Sequence, residues 1–188
     1  MKSLLAKSIF MLLLGTAFIA CTKGKQEILT QGEEVTSRSQ GNGVMETVQK
    51  GPNGNTTVFS NWILKTEPDW TGFGTEEIST DFNTTSLTSA IMDNGLVLVY
   101  YMYGDVVKHL PTVSLPDFFV IDYSFLTGKI TVKIRYSGGG AISGVADFKF
   151  RYILISSSSF GGGPGNGRTA SVDYNDYNAV CDYYGIAK

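Results

Sequence analysis

The chain has 188 residues, with 15 Lys and Arg, 17 Asp and Glu, one His and two Cys. This length holds one domain and some tail. A formal net charge of −2 argues against a nucleic-acid partner, which needs a basic stripe, and two cysteines are too few for a disulfide framework. The 10 Tyr, 11 Phe and 22 Gly favour aromatic strands joined by glycine turns.

The N-terminal segment predicts a lipoprotein signal peptide over residues 1–20. Lys2 and Lys7 frame a short basic region, and the apolar run SIFMLLLGTAFIA that follows is too short to span a bilayer comfortably. The run closes with FIAC, which resembles the lipobox of bacterial lipoproteins, although Phe18 stands where Leu is usual. The resemblance implies cleavage before Cys21 and attachment of acyl chains such as palmitate to that residue. The alternative is an ordinary secretory signal in which the cysteine is incidental.

The polar segment 21–54 predicts a flexible tether between the membrane and the domain. It is dotted with glycine and has no sustained period of 2 or 3.6, so no amphipathic element is indicated. A short strand or helix around residues 44–48 is left open. Signal and tether together predict a cell-envelope protein, an outer membrane lipoprotein on either the periplasmic or the surface face.

A β-rich domain is predicted over residues 55–156. In SLTSAIMDNG, apolar residues recur at helical spacing before the stop signal Asn94-Gly95, which indicates one short helix. The LTG turn at residues 126–128 indicates a hairpin. Because strands of regular spacing alternate with turn residues and no βαβ rhythm is present, the predicted fold is mainly β, an antiparallel sandwich or a barrel-like sheet. The strand candidates are TTVFSNWIL, GFGTEEISTDFN, LVLVYYMY, DVVKHLPTV, DFFVIDYSF, KITVKIRYS and DFKFRYILI.

The C-terminal part predicts a Gly- and Ser-rich link over residues 157–171 and a helix over residues 172–188. Asp173 is expected to cap the helix, with Asp176 in the capping-box position, and Gly185 is expected to end it. An apolar stripe should pack the helix on the sandwich. Its members are Tyr174, Tyr177, Val180, Cys181 and Tyr184.

Several segments together carry a family resemblance. AIMDNGLVLVYYMYGD, YSFLTGKITVKI, FRYILI and VDYNDYNAVCDYYGI resemble a group of uncharacterised exported lipoproteins of Bacteroidetes-type bacteria, and the similarity covers residues 56–186. The resemblance implies a cell-envelope location and a β-rich domain. It supplies no catalytic residues to carry over.

Catalytic and metal sites of the common kinds are not indicated. His109 is the one histidine, and the chain has no G-x-S-x-G elbow, so a nucleophilic triad is not expected and His109 is interpreted as a strand-end surface residue. One His and one free Cys cannot form the usual zinc clusters. Glu76, Glu77 and the acids of the C-terminal helix are interpreted as solvated rather than as a glycosidase pair. The sequence thus predicts no catalytic residue, no metal and no cofactor.

The glycine-rich stretch GGGPGNGRT, residues 161–169, comes close to the phosphate-loop pattern. However, Arg168 stands where that pattern requires Lys, and TASV separates the loop from the predicted helix, whose N-terminus should face a phosphate directly. Nucleotide binding is therefore not expected, and the stretch is interpreted as part of the link.

Two tryptophans are the candidate binding residues. Trp62 and Trp70 flank ILKTEPD, and exposed aromatic side chains on a sandwich form platforms for sugars or for another protein. The alternative is that both lie in the core. The predicted role is non-catalytic, binding or structural, towards an unknown protein or glycan partner. A carbohydrate-binding module that uses Trp62 or Trp70 is the alternative function, followed by a glycan-active hydrolase.

Overall fold

Two antiparallel β-sheets and two helices form the described part of the chain, which comprises residues 35–51, 54–114, 119–156 and 172–188 of a computed structural model. All of these residues belong to one compact unit. Neither helix in these ranges is long and apolar enough to cross a membrane. The strands are β1 (Thr36–Gly41), β2 (Val44–Lys50), β3 (Thr56–Ser60), β4 (Ile63–Lys65), β5 (Glu77–Asn83), β6 (Leu96–Tyr103), β7 (Val106–His109), β8 (Thr112–Ser114), β9 (Phe119–Leu126), β10 (Lys129–Tyr136) and β11 (Phe148–Ile155). The helices are α1 (Ser89–Asn94) and α2 (Tyr177–Tyr184).

A seven-stranded sheet has the strand order β1-β2-β3-β11-β6-β7. The seventh strand, β4, continues the line of β3, because β3 pairs with residues 153–155 of β11 and β4 pairs with residues 148–150. The central strand β11 therefore has neighbours along both sides, and Lys149 is its one exposed residue. Its run of aromatic and aliphatic side chains is typical of a strand that is covered on both faces.

A four-stranded sheet, ordered β5-β10-β9-β8, packs on the inner face of the larger sheet. On β10, Ile130, Val132 and Ile134 are fully buried, whereas Lys133 and Arg135 face outward and pair with acids of the neighbouring strands. This alternation is the one that its sequence predicts. The predicted antiparallel sandwich, with a short internal helix and a C-terminal helix, is confirmed, and the sheets do not close into a barrel.

The sandwich begins earlier than predicted, because β1 and β2 belong to it. The two strands form a hairpin, and β2 pairs with β3. The expectation of a tether over residues 21–54 is therefore wrong for residues 36–50, while residues 21–34 lie outside the described part. On β2, the buried Glu46 stands between two inward-facing valines. An acid at the centre of so short an alternating run conceals the strand pattern.

Glu46 is a fully buried carboxylate that ties the two sheets together. It accepts hydrogen bonds from Tyr152 Oη at 2.7 Å, from the seven-stranded sheet, and from hydroxyls of the loop that follows β5. Burial alone would raise the pKa of the Glu46 carboxyl, but the hydrogen bonds outweigh it and hold this pKa below its usual value. The five donors are the side chains of Arg38, Gln40, Thr84, Ser86 and Tyr152.

The C-terminal helix α2 forms a third layer on the outer face of the seven-stranded sheet. Its buried side chains, including Val180 and Cys181, pack against Ile153 and Ile155 of β11. The side chain of Gln49 donates to the carbonyl of Tyr184 at 2.5 Å, which joins β2 to the end of the helix. The buried side chains of α2 thus form one cluster with the outer face of the seven-stranded sheet.

The helix starts later than predicted. Asp176, rather than Asp173, is its N-cap, because Asp176 Oδ1 accepts from the backbone N–H groups of Asn178 and Ala179 at 2.8 and 3.1 Å. The Asp173 carboxylate is used in the preceding turn, where it accepts from Asn175 N at 3.0 Å. Gly185, in the left-handed region with φ 69°, ends the helix as predicted. The predicted link, residues 157–171, lies outside the described residues.

Candidate functional site

A cleft of about 580 Å³ opens where the outer face of the seven-stranded sheet extends beyond the start of α2. Its floor consists of Met102 of β6 and Val107 of β7, which are paired across the two strands. Trp62 and Tyr177 supply its aromatic side. The rim is polar and consists of Asp105, Asp173, Asn175, Asp176, Asn178 and Lys188.

Trp62 is positioned by the break between β3 and β4. At this break the backbone N–H of Asn61 donates to Met45 O at 2.8 Å. Its side chain adds two bonds to β2 and the turn before it, since Oδ1 accepts from Met45 N at 2.9 Å and Nδ2 donates to Gly43 O at 3.2 Å. The next residue, Trp62, is partly exposed and lies against Tyr177, with ring centroids 5.4 Å apart. The indole is thus fixed by the sheet behind it and by the helix beside it, with part of its surface left to the cleft.

Arg151 of β11 supports this aromatic side from within the protein. Only 5% of the residue is exposed, and its guanidinium donates to Ser60 O at 2.8 Å, to Ala187 O at 2.7 Å and to the Tyr177 hydroxyl. It lies 5.9 Å from the centres of the Trp62 and Tyr177 rings. In the described part of the chain it has no carboxylate partner, so carbonyl oxygens and ring faces stabilise its charge.

The rim of the cleft is acidic. Three aspartates line it against one lysine, Lys188, whose ammonium is bound by Asp182 at 2.7 Å. In Asp173 and in Asp176, one carboxylate oxygen accepts a hydrogen bond from a backbone N–H group nearby in the chain. Asp105, exposed in the β6–β7 turn, makes no hydrogen bond with the described residues. The amides of Asn175 and Asn178 add donors and acceptors beside these carboxylates.

Trp70 does not contribute to an exposed platform, so this part of the predicted site is wrong. It is 4% exposed and packs edge-on against Phe150, with ring centroids 6.0 Å apart. The residue that follows, Thr71, bridges to Ser79, and this turns the indole into the space between the sheets. Of the two predicted binding residues, only Trp62 reaches the cleft.

His109 lies beside the cleft rather than in its lining. It is paired with Tyr100 across β6 and β7, with ring centroids 5.3 Å apart. Burial lowers the pKa of the imidazole, and the nearby side chain of Asn175 offsets part of that effect. His109 is thus a neutral, partly buried residue at the base of the loop that leads into α2, and it is not the surface residue that the sequence indicates.

The other predicted site residues lie apart from the cleft. Glu77 is on the outer face of the four-stranded sheet, where it pairs with Lys133 at 3.2 Å. Cys181 lies on the buried face of α2, and this burial raises the pKa of its thiol. Cys21 lies outside the described residues. Within the described ranges, no three His, Cys, Asp or Glu side chains are grouped so as to hold a metal ion.

Sequence reasoning missed the part of the site that Arg151 and the residues before α2 supply. One signal was available: Arg151 is a lone cation in the otherwise apolar run FRYILI, on the face that α2 covers, and a buried charge needs a specific partner. The partners themselves, Tyr177 of α2 and Ala187 after it, come from a part of the chain that is distant in sequence. No periodicity could place them against β11.

The comparisons with known proteins leave the site to be interpreted from its own geometry. No family model, no curated protein and no solved structure matches this chain.

Proposed function

We propose that the protein is a cell-envelope lipoprotein, anchored to the outer membrane through Cys21, whose sandwich is a non-catalytic binding domain. The signal peptide and lipobox of the sequence support the anchor. The observation that carries the binding function is the partly exposed Trp62 in a cleft of about 580 Å³, a volume within the range of ligand sites.

A glycan is the ligand class that the cleft favours. An indole face packs on the apolar C–H face of a sugar ring, while amides and carboxylates at the rim bind the hydroxyls. Trp62 supplies the first kind of contact, and Asn175, Asn178 and Asp105 supply the second. Because Trp62 is held by Tyr177 and Arg151, little side-chain entropy is lost when a sugar binds it.

Binding is favoured over hydrolysis because two of the three aspartates of the cleft already accept hydrogen bonds from the backbone. A glycosidase needs two carboxyl groups free to act on one bond. Here Asp176 caps α2 and Asp173 holds the turn before it, which leaves Asp105 as the one carboxylate of the lining that is free of such bonds. The candidate acids Glu76 and Glu77 lie at the opposite sheet, where Glu77 begins β5 and Glu76 directly precedes it.

The exchange Trp62→Ala is expected to weaken glycan binding by roughly tenfold or more, since truncating a central aromatic residue costs on the order of 2 kcal/mol. The measurement is calorimetric titration with a panel of neutral oligosaccharides. Leu64→Ala is the matched control, because Leu64 is 50% exposed on the next strand and does not line the cleft. Equal affinity of the Trp62→Ala variant and the wild type would remove the cleft as the glycan site.

The exchange Cys21→Ser is expected to move the protein from the membrane fraction to the soluble fraction and to abolish labelling with a palmitate analogue. The reason is that the acyl chains supply the membrane affinity. The measurement is fractionation and labelling in a bacterial host that processes lipoproteins. Cys181→Ser is the control and should leave both readouts unchanged, because that thiol is buried. A Cys21→Ser protein that still carries the label would contradict the anchor.

A further inference from the structure

We infer that the cleft beside Trp62 selects saccharides by charge: it binds sugars that carry an ammonium group in preference to neutral sugars, and it rejects acidic sugars. This inference rests on the proposed glycan-binding function and names the ligand class of the same site. It follows from the distribution of charge around the indole.

The charges that face the cleft are mostly negative. Asp105, Asp173 and Asp176 line it, and capping interactions use oxygens of Asp173 and Asp176 without removing their charge. The one lining cation, Lys188, is bound by Asp182, which lies outside the lining. A carboxylate or sulfate on a sugar would therefore meet like charges at the rim, whereas an ammonium group would meet opposite ones.

The positive charge of Arg151 does not cancel this effect at the ligand. Arg151 is nearly fully buried, and its donors are directed to Ser60 O, Ala187 O and the Tyr177 hydroxyl. Arg151 is not among the residues that line the cleft, so its charge acts from behind the aromatic side. The part of the Trp62 surface that lines the cleft remains a binding surface for a second cation.

Asp105 is the residue to which the geometry assigns the ammonium contact. It stands in the exposed turn between β6 and β7, next to Gly104, which has a φ of 57°. It makes no hydrogen bond with the described residues, so both of its oxygens are available. Asp173 and Asp176 attract the same group at longer range, while their bound oxygens keep the start of α2 in place.

The test uses three tetrasaccharides with one backbone: β-1,4-linked glucose, its 2-amino counterpart with the amines protonated, and its C6-carboxylate counterpart. Calorimetry at low salt is expected to rank the amino form roughly three- to tenfold above the neutral form, as expected for one exposed ion pair and one cation–π contact, with no measurable binding of the acidic form. Raising the salt concentration should remove the preference by screening the charges. Raising the pH above the pKa of the sugar amines should remove it as well, because the amines then lose their charge.

Asp105→Asn is expected to remove most of the preference for the amino form, measured as the ratio of its affinity to that of the neutral form in the same variant. Asp93→Asn is the matched control, because Asp93 is an exposed acid on α1 outside the cleft. Equal binding of the three probes overturns charge selection alone, and an unchanged preference in Asp105→Asn overturns the assignment of the ammonium contact to Asp105. Failure of all three probes to bind overturns the glycan-binding function, and charge selection with it.

Discussion

Replacing Glu46 by alanine is expected to destabilise the domain by about 3–5 kcal/mol, the cost typical of removing one partner from a buried charged network. The exchange leaves the hydroxyls of Thr84, Ser86 and Tyr152 without their acceptor, and all three residues are buried. Unsatisfied buried groups each cost about 1–3 kcal/mol. The measurement is urea unfolding followed by tryptophan fluorescence, with linear extrapolation to water.

Two further variants distinguish the loss of the buried hydrogen-bond network from the loss of a carboxylate in general. Glu46→Gln keeps the volume and one acceptor oxygen, so its loss should be smaller than that of Glu46→Ala. Glu77→Gln removes a solvent-exposed ion pair with Lys133 and should change stability by no more than about 1 kcal/mol. Equal losses in Glu46→Ala and Glu77→Gln would show that the buried network does not stabilise the fold.

The same carboxylate also sets a pH dependence. The pKa of Glu46 is lowered in the folded state, so the unfolded chain takes up its proton first as the pH falls. The contribution of Glu46 is therefore complete above the pKa of an unfolded glutamate, about 4.3, and is lost as the pH falls through the lower folded value. Unfolding free energies measured from pH 7 to pH 3 should decrease less in Glu46→Gln than in the wild type.

Replacing Arg151 by alanine is expected to destabilise the domain by about 2–4 kcal/mol and to loosen α2 from the sheet. The exchange removes the donor to Ala187 O and to the Tyr177 hydroxyl, and it leaves a cavity beneath Trp62. The reactivity of the Cys181 thiol measures this loosening, because Cys181 lies on the buried face of α2. In a Cys21→Ser background, where Cys181 is the one thiol of the chain, its reaction with a thiol reagent should be faster in Arg151→Ala.

Lys149→Ala is the matched control for this variant. Lys149 lies two residues before Arg151 on β11, but it is exposed, so its truncation should leave both stability and thiol reactivity close to the wild type. Arg151→Met, which keeps the length of the side chain without its donors, should fall between the two. Unchanged thiol reactivity in Arg151→Ala would mean that the aliphatic contacts of α2 hold the helix by themselves.

Much of the fold could be predicted because most strands bury one face and expose the other. The period of two on β10 and the apolar run of β11 identify these strands without reference to any partner. The hairpin β1–β2 could not be found in this way. β1 is an exposed edge strand, and the inward position at the centre of β2 holds Glu46. An acid is acceptable there only because five side-chain donors, from β1, from the loop after β5 and from β11, meet it.

The candidate site was predictable only in part, because its members come from separate segments. Trp62 was identified as an exposed aromatic candidate, but residue type alone could not distinguish it from Trp70, since only the course of the chain decides which indole is buried. The start of α2 depended on whether Asp173 or Asp176 caps it. Both acids fit the capping position in the sequence, and the residue that caps α2 determines where the rim of the cleft lies.

The position of β11 also determines when the domain can complete its folding. β11 is the last strand of the described residues, yet it lies between β3 and β6 at the centre of the larger sheet. A chain that emerges with its N-terminus first can form the hairpins β1–β2 and β6–β7, but β3 and β6 must wait for residues 148–155 before they share a sheet. Such long-range pairing is slow and leaves apolar strand faces open in the meantime. Completion of the larger sheet is thus tied to the emergence of residues 148–155, and a chain cut short before Phe148 lacks the strand that pairs with both β3 and β6.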